Sequence, residues 1–171
     1  MSAKITSYPG REITPEELKE GKYLELIQKV EPRYSWAAGV AISRFLKELK
    51  EGRIIGRKCS KCARTLVPPR MYCEQCFRPT DEWVYVKDTG TINTFSISHV
   101  AADASRLKSP LLVGVVELER ASPGMGILHK LGEVDPPRVK IGMRVQAVWK
   151  PASERTGSIT DIRYFKPMGA G

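Results

Sequence analysis

The spacing of apolar residues changes along the chain from a helical period to a strand period. Thr14-Pro15-Glu16-Glu17 carries a helix start: Thr14 can cap, Pro15 suits the first helical position, and Glu17 sits where a carboxylate reaches back to the cap. A helix to about Val30 follows, with Leu18, Tyr23, Leu24, Ile27 and Val30 on a broad face; Gly21 weakens its middle and Pro32 breaks it. A second helix is expected from near Ser35. Ile42, Phe45, Leu46 and Leu49 fall there at helical spacing with Arg44, Lys47, Glu48 and Lys50 between them, and Gly52 ends the run. This stripe precedes any obvious core, so it has to pack on the domain that follows or on another protein chain.

Further on, short β-type runs alternate with turn residues. The expected strands are Thr91–Ser98, Leu111–Leu118, a weaker Met125–Leu131, Met143–Trp149 with clear apolar and polar alternation, and Ile159–Phe165. Five strands suit an OB-type barrel. Gly114, inside the second run, fits the bend or bulge of barrel closure or a plain interior position. The expected organisation is a helical segment 1–52, a cysteine ribbon 53–86 and a barrel 87–171.

The chain has 171 residues, 42% hydrophobic and 27% charged, and no apolar run approaches the length of a membrane span. The first residues lack the apolar stretch and cleavage site of a secretory signal, so a soluble, cytoplasmic protein with no membrane partner is expected. The net charge of +9 suits an anionic partner, nucleic acid or a phosphate-bearing small molecule among them, and also suits a merely basic surface.

All four cysteines form two Cys-x-x-Cys pairs, Cys59/Cys62 and Cys73/Cys76, ten residues apart. A two-residue spacer lets both sulfurs of a pair reach one ion from a tight turn, and the intervening stretch can fold as a hairpin that joins the pairs. Four thiolates make a closed shell with no position for water, so an ion here builds structure. Zinc is the expected metal; a rubredoxin-like iron site fits the same spacing. Bridged pairs fit less well, since no thioredoxin-type βαβ pattern surrounds them. Pro68-Pro69 stiffens the hairpin and fixes where Arg70 points, toward a phosphate, a partner carboxylate or solvent. Lys58, Lys61 and Arg64 could widen a basic patch around it. His99 and His129 lie far from the cysteines in sequence and read as surface or core residues. No Ser/His/Asp set, glycine-rich phosphate loop or open metal site is present, so catalysis by this chain alone is not expected.

From about Trp36 to Phe165 the chain resembles a bacterial and archaeal family of zinc-ribbon, OB-fold proteins associated with acyl-CoA metabolism, long classed as a domain of unknown function. The resemblance rests on Phe45-Leu46 leading into Leu49-Lys50-Glu51-Gly52, then Cys59-x-x-Cys62, Pro68-Pro69-Arg70, Cys73-x-x-Cys76, Asp81-Glu82-Trp83 and Gly90-Thr91-Ile92. It implies a mainly β protein with N-terminal α-helices, a rubredoxin-like zinc ribbon and a five-stranded OB-fold barrel. It also implies four cysteine ligands, with helices and ribbon as contact surface. Members of the family look like non-catalytic partners of thiolase-type enzymes, working in hetero-oligomers.

The leading expectation is therefore a zinc-stabilised accessory or scaffold subunit that helps form a partner's acyl-CoA site. Its basic residues Lys58, Lys61, Arg64 and Arg70 would meet coenzyme A phosphates or the partner, and the stripe Ile42, Phe45, Leu46 and Leu49 would face the partner. A nucleic-acid-binding module is the alternative, since ribbons and OB barrels both occur there; it needs exposed aromatics, and Phe95, Trp149, Tyr164 and Phe165 read as readily as core. An iron-bearing electron carrier is the third reading.

Overall fold

The computed structural model describes residues 10, 13–23 and 35–169. It falls into two compact units, Met1–Trp36 and Ala37–Gly171.

In the first unit the expected start signal is present. Helix α1 spans Pro15–Lys19; Thr14 Oγ1 accepts from the Glu17 amide and the Glu17 carboxylate accepts from the Thr14 amide, each at 3.3 Å. The helix is far shorter than the spacing predicts. Lys19 is its last residue and Gly21 follows at φ +70°, a left-handed geometry that glycine adopts without a Cβ clash. Leu24, Ile27, Val30 and Pro32 lie outside the described residues.

In the second unit helix α2 spans Gly39–Lys50, starting later than the expected Ser35, with Ala38 at the cap position and no side-chain cap bond. Gly52, at φ +74°, follows its end as expected. One helical face, Ala41, Phe45 and Leu49, is buried at i, i+4 and i+8. Phe45 is 3% exposed and Leu49 is fully buried, both within the cluster formed by the barrel strands; Leu46 packs against that cluster and Ile42 is half-buried. The expectation that this stripe faces a partner is thereby corrected for Phe45 and Leu49, which cover the chain's own core.

Strands β1 (Ile54–Lys58), β2 (Thr65–Leu66) and β5 (Glu82–Val86) form an antiparallel sheet in the order β2-β1-β5, and β3 (Tyr72–Cys73) pairs with β4 (Arg78–Pro79) in a short hairpin. The barrel follows: β6 (Thr89–Val100), β7 (Arg106–Leu118), β8 (Gly126–Lys130), β9 (Arg144–Trp149) and β10 (Ile162–Pro167), in the order β10-β9-β6-β7-β8. Among the described residues the outer strands are joined by one parallel bridge, Leu131 with Phe165. The β6–β7 hairpin is longer than its apolar runs predict, and Ile159–Asp161 is a 3₁₀ turn rather than the start of the last strand. Register stays unbroken at Gly114; the bulges fall at Ile92/Thr94 and Ser98/Val100 instead. Gly114 serves close packing, because a Cβ there would come within 3.1 Å of Leu131 Cδ1 and of the Thr94 carbonyl oxygen.

Phe165, Ile92, Val116, Val145 and Ile162 fill the barrel, and Leu49, Ile54 and Ile55 extend the same core toward the ribbon. Truncating Phe45 removes an aromatic ring from this packing. Phe45→Ala is expected to lower stability by about 3–5 kcal/mol, whereas Ile42→Ala on the flank costs about 1 kcal/mol or less; urea unfolding of the metal-loaded chain measures both.

Candidate metal centre

Strand β1 delivers Cys59 to the first turn and β3 delivers Cys73 to the second. Gly56 permits the close approach of β1 to β2, since a Cβ would lie 2.7 Å from the Leu66 carbonyl oxygen. In the first turn the Cys59 amide donates to the Arg64 carbonyl at 2.9 Å, and in the second the Phe77 amide donates to the Cys73 carbonyl at 2.9 Å. Ala63 (φ +59°) and Phe77 (φ +49°), each just past a pair's second cysteine, take left-handed conformations that reverse the chain. All four sulfurs lie within 4.8 Å of one another, with Cys62 and Cys73 Sγ 3.6 Å apart. Metal–sulfur bonds of about 2.3 Å in a tetrahedron separate sulfurs by about 3.8 Å, so the spacing fits a four-thiolate ion. Cys59 and Cys73 are buried, while Cys62 and Cys76 are half-buried.

This arrangement matches what comparison with known proteins finds. Residues 46–82 match the rubredoxin-like zinc ribbon domain of ChsH2, and residues 83–150 match the ChsH2 C-terminal OB-fold domain. A DUF35 domain-containing scaffold protein of Methanocaldococcus jannaschii is 32% identical over 131 residues, covering 74% of this chain and 91% of the relative. One from Pyrococcus furiosus is 28% identical over 130 residues, covering 74% and 93%. The chain belongs to the DUF35 family. A solved DUF35 protein of unknown function from Sulfolobus solfataricus superposes with a TM-score of 0.57 at 26% identity, over 73% of this chain and 83% of that one. The Ltp2-ChsH2(DUF35) aldolase shares the fold, with a TM-score of 0.57 at 21% identity over 78% and 98% of the two chains. The mainly β architecture, zinc ribbon followed by OB-fold domain, is thus that of the family.

Around its cysteines this DUF35 protein carries a polar frame that sequence reasoning missed. Asp81 accepts from the Ser60 amide at 2.6 Å and from Arg78 at 2.9 Å, while Arg78 also donates to Ser60 Oγ at 2.9 Å. These amide and hydroxyl donors from Ser60, with Arg78 beside them, hold the Asp81 carboxyl below its ordinary range. Behind it Arg57 is buried, donating to Thr80 Oγ1 at 2.9 Å and to the Thr80 carbonyl, and Thr80 Oγ1 donates to the Arg70 carbonyl at 2.8 Å. The Arg57 guanidinium also stacks 4.7 Å from the Trp83 ring centre, and Arg44 of α2 lies 4.5 Å from it. The available signal was the Asp81-Glu82-Trp83 run, which carries this frame but reveals its partners only when folded.

The predicted basic patch is partly neutralised from within. Arg64 pairs with Glu74 and Arg70 lies 3.8 Å from the same carboxylate. Glu74 is held below the usual carboxylate range by its own backbone amide and then by these two arginines. The carboxylate that Arg70 meets is therefore the chain's own. Lys61 is exposed and Lys58 half-buried. His99 is exposed near the end of β6, His129 is half-buried, and neither joins the sulfur cluster among the described residues.

Metal-free, the Cys59 and Cys76 thiols differ sharply. The Cys62 amide is the largest influence pulling Cys59 down to about 7, whereas desolvation leads the causes that push Cys76 up to about 12. An ion has to displace the Cys76 proton, so acidification favours release. Competition with a chromophoric chelator at pH of about 8 and about 6 is expected to show weaker metal binding at the lower value. Cys73→Ser leaves three thiolates; metal content and ribbon structure are expected to fall together, and an unchanged melting curve after chelation contradicts this assignment.

Proposed function

We propose that this chain is a non-catalytic, zinc-binding accessory or scaffold subunit of a thiolase-type acyl-CoA enzyme complex, a cytoplasmic hetero-oligomer in which it supports assembly and the acyl-CoA site. The observation that carries the reading is the apolar tip of the ribbon. Met71, Tyr72 and Phe77 are 39%, 65% and 89% exposed, clustered on the β3–β4 hairpin beside the cysteines. Rigid exposed aromatics on a small polar module suit a protein interface. The relatives named as scaffold proteins, and the ChsH2 protein named with Ltp2 in an aldolase, support the same direction.

In this reading Cys59, Cys62, Cys73 and Cys76 hold zinc, and the chain divides in function into a helical segment 1–52, a ribbon 53–86 and a barrel 87–171. Of the four basic residues, Lys61 is the strongest contact for a coenzyme A phosphate, because Arg64 and Arg70 already face Glu74. The nucleic-acid reading lacks stacking platforms on the barrel: Phe165 is buried, Phe95 and Trp149 pack against the core, and the Tyr164 hydroxyl donates to Glu133 at 2.6 Å.

Affinity purification followed by co-expression with the recovered thiolase tests the proposal. The isolated chain is expected to show no thiolase activity, and a colourless preparation with zinc distinguishes it from an iron carrier. The pair Tyr72→Ser and Phe77→Ser is expected to weaken the complex by at least about tenfold while zinc content and melting temperature stay unchanged. Tight nucleic-acid binding at physiological salt with no recoverable enzyme reverses the ranking.

A further inference from the structure

The barrel is left open along one seam. Strands β8 and β10 are the two ends of the five-stranded sheet, and the Leu131–Phe165 bridge joins them at one point, where the Gly132 amide donates to the Phe165 carbonyl at 2.9 Å. Beyond that point the strands part around a cleft of about 480 Å³, bordered by the 3₁₀ turn Ile159–Asp161. His129 spans the gap, its Nε2 lying 3.1 Å from the Ile159 carbonyl; that oxygen can only accept, so Nε2 carries the proton.

The backbone of β8 offers an edge that pairs with no further strand here, with the Lys130 backbone beside the His129 ring. Its Leu131 amide donates to Leu112 of β7, and Lys130 and Leu128 stand opposite Val113 and Val115 in the intervening positions. The alternation of an antiparallel ladder then aims the Lys130 and Leu128 backbone groups away from β7 and toward the seam. Side chains add two further features. Val113, Leu128 and Ile162 form apolar lining, with Leu128 67% exposed, and three cations from three elements, Lys130, Lys150 and Arg163, line the same cleft. Some barrel cations are ion-paired, Lys87 and Arg144 with Glu119 and Lys166 with Glu133, whereas these three, like several others on the barrel, meet no carboxylate in an ion pair among the described residues. Asp161, next to Lys150 in charge terms, is fully buried and occupied by the amides of Thr156, Gly157 and Ser158.

We infer that the β8–β10 seam receives an extended, acidic segment of another protein as an added strand, its backbone pairing with β8, its apolar side chains on Leu128 and Val113, and its carboxylates on Lys130, Lys150 and Arg163. Three separated cations call for several carboxylates, and a free strand edge calls for a peptide backbone; together they select an acidic strand over a small anion. Edge lysines can also serve only to keep copies from pairing edge to edge, and the experiment separates the two roles. It does not depend on the identity of the enzyme partner.

A labelled, capped hexapeptide alternating glutamate and valine is titrated against the full metal-loaded chain by fluorescence anisotropy, with amide NMR shifts as the map. Saturable binding is expected, with shifts confined to residues 126–130 and 159–163, and the glutamine–valine counterpart is expected to bind at least about tenfold more weakly. Lys130→Gln with Arg163→Gln, both exposed positions, should abolish binding at unchanged melting temperature, while Lys61→Gln on the ribbon should leave it intact. Equal binding of the glutamine peptide, no effect of the double variant, or octanoate binding this cleft more tightly than the peptide overturns the inference. So does a double variant that dimerises while still binding the peptide as before, since the cations then only block self-pairing.

Discussion

Four sulfurs drawn within 4.8 Å of one another form the constraint on which the ribbon depends. The strands around them, β2, β3 and β4, are two residues each, too short to hold a fold by their own ladders. The apolar residues nearby, Ile54, Ile55 and Val67, are committed to the core shared with α2 and the barrel. What remains to fix the two cysteine turns is metal ligation and its polar frame. Asp81 locks the first turn through Ser60, and Thr80, receiving Arg57 and donating to Arg70, locks the approach to the second. A buried arginine costs desolvation unless its donors are satisfied, and the paired donation to Thr80 with the Trp83 ring alongside meets that requirement.

Charge is distributed unevenly over the surface that results. The sequence has 28 lysines and arginines against 19 acids. Many of the acids are spent locally: Glu48 on Arg53, Glu74 on Arg64, Glu119 on Lys87 and Arg144, Glu133 on Lys166. Exposed pairs of this kind contribute little stability. Their effect is to leave the excess positive charge on other residues, Lys61 of the first cysteine turn and the three cations of the barrel seam among them.

Much of this was legible in the sequence where a signal is local. Two Cys-x-x-Cys turns need only short spacers, and five strand-like runs announce a barrel whether or not their ends are exact. The errors have physical causes. The helix from Pro15 ends at Lys19 because a signal for starting says nothing about length once Gly21 intervenes. The β6–β7 hairpin outruns its apolar pattern because its outermost pair, Val100 with Arg106, extends the ladder while both residues stay exposed. An amphipathic stripe cannot state what covers it, so the burial of Phe45 and Leu49 had to come from the fold. The frame of Arg57 and Thr80 joins residues 23 apart, and the open seam is a failure of pairing between strands that no local pattern records.

The placement of Phe77 ties the cysteine cluster to the proposed docking surface. A left-handed backbone at a non-glycine residue carries a local cost and persists only where its surroundings over-determine it. Here the determinant is the turn itself: the Phe77 amide is bonded to the Cys73 carbonyl, and Cys73 and Cys76 are both directed to the sulfur cluster. With an ion bound, this geometry presents the phenyl ring almost wholly to solvent from a fixed backbone, so less of the turn has to be ordered on association. Without one, the Cys76 thiol keeps its proton and the turn loses the ligation that offsets its strain. In the proposed function the closed metal site, which has no position for substrate, would contribute by rigidity, holding an aromatic anchor for a partner, while the buried face of α2 packs on the core of its own unit.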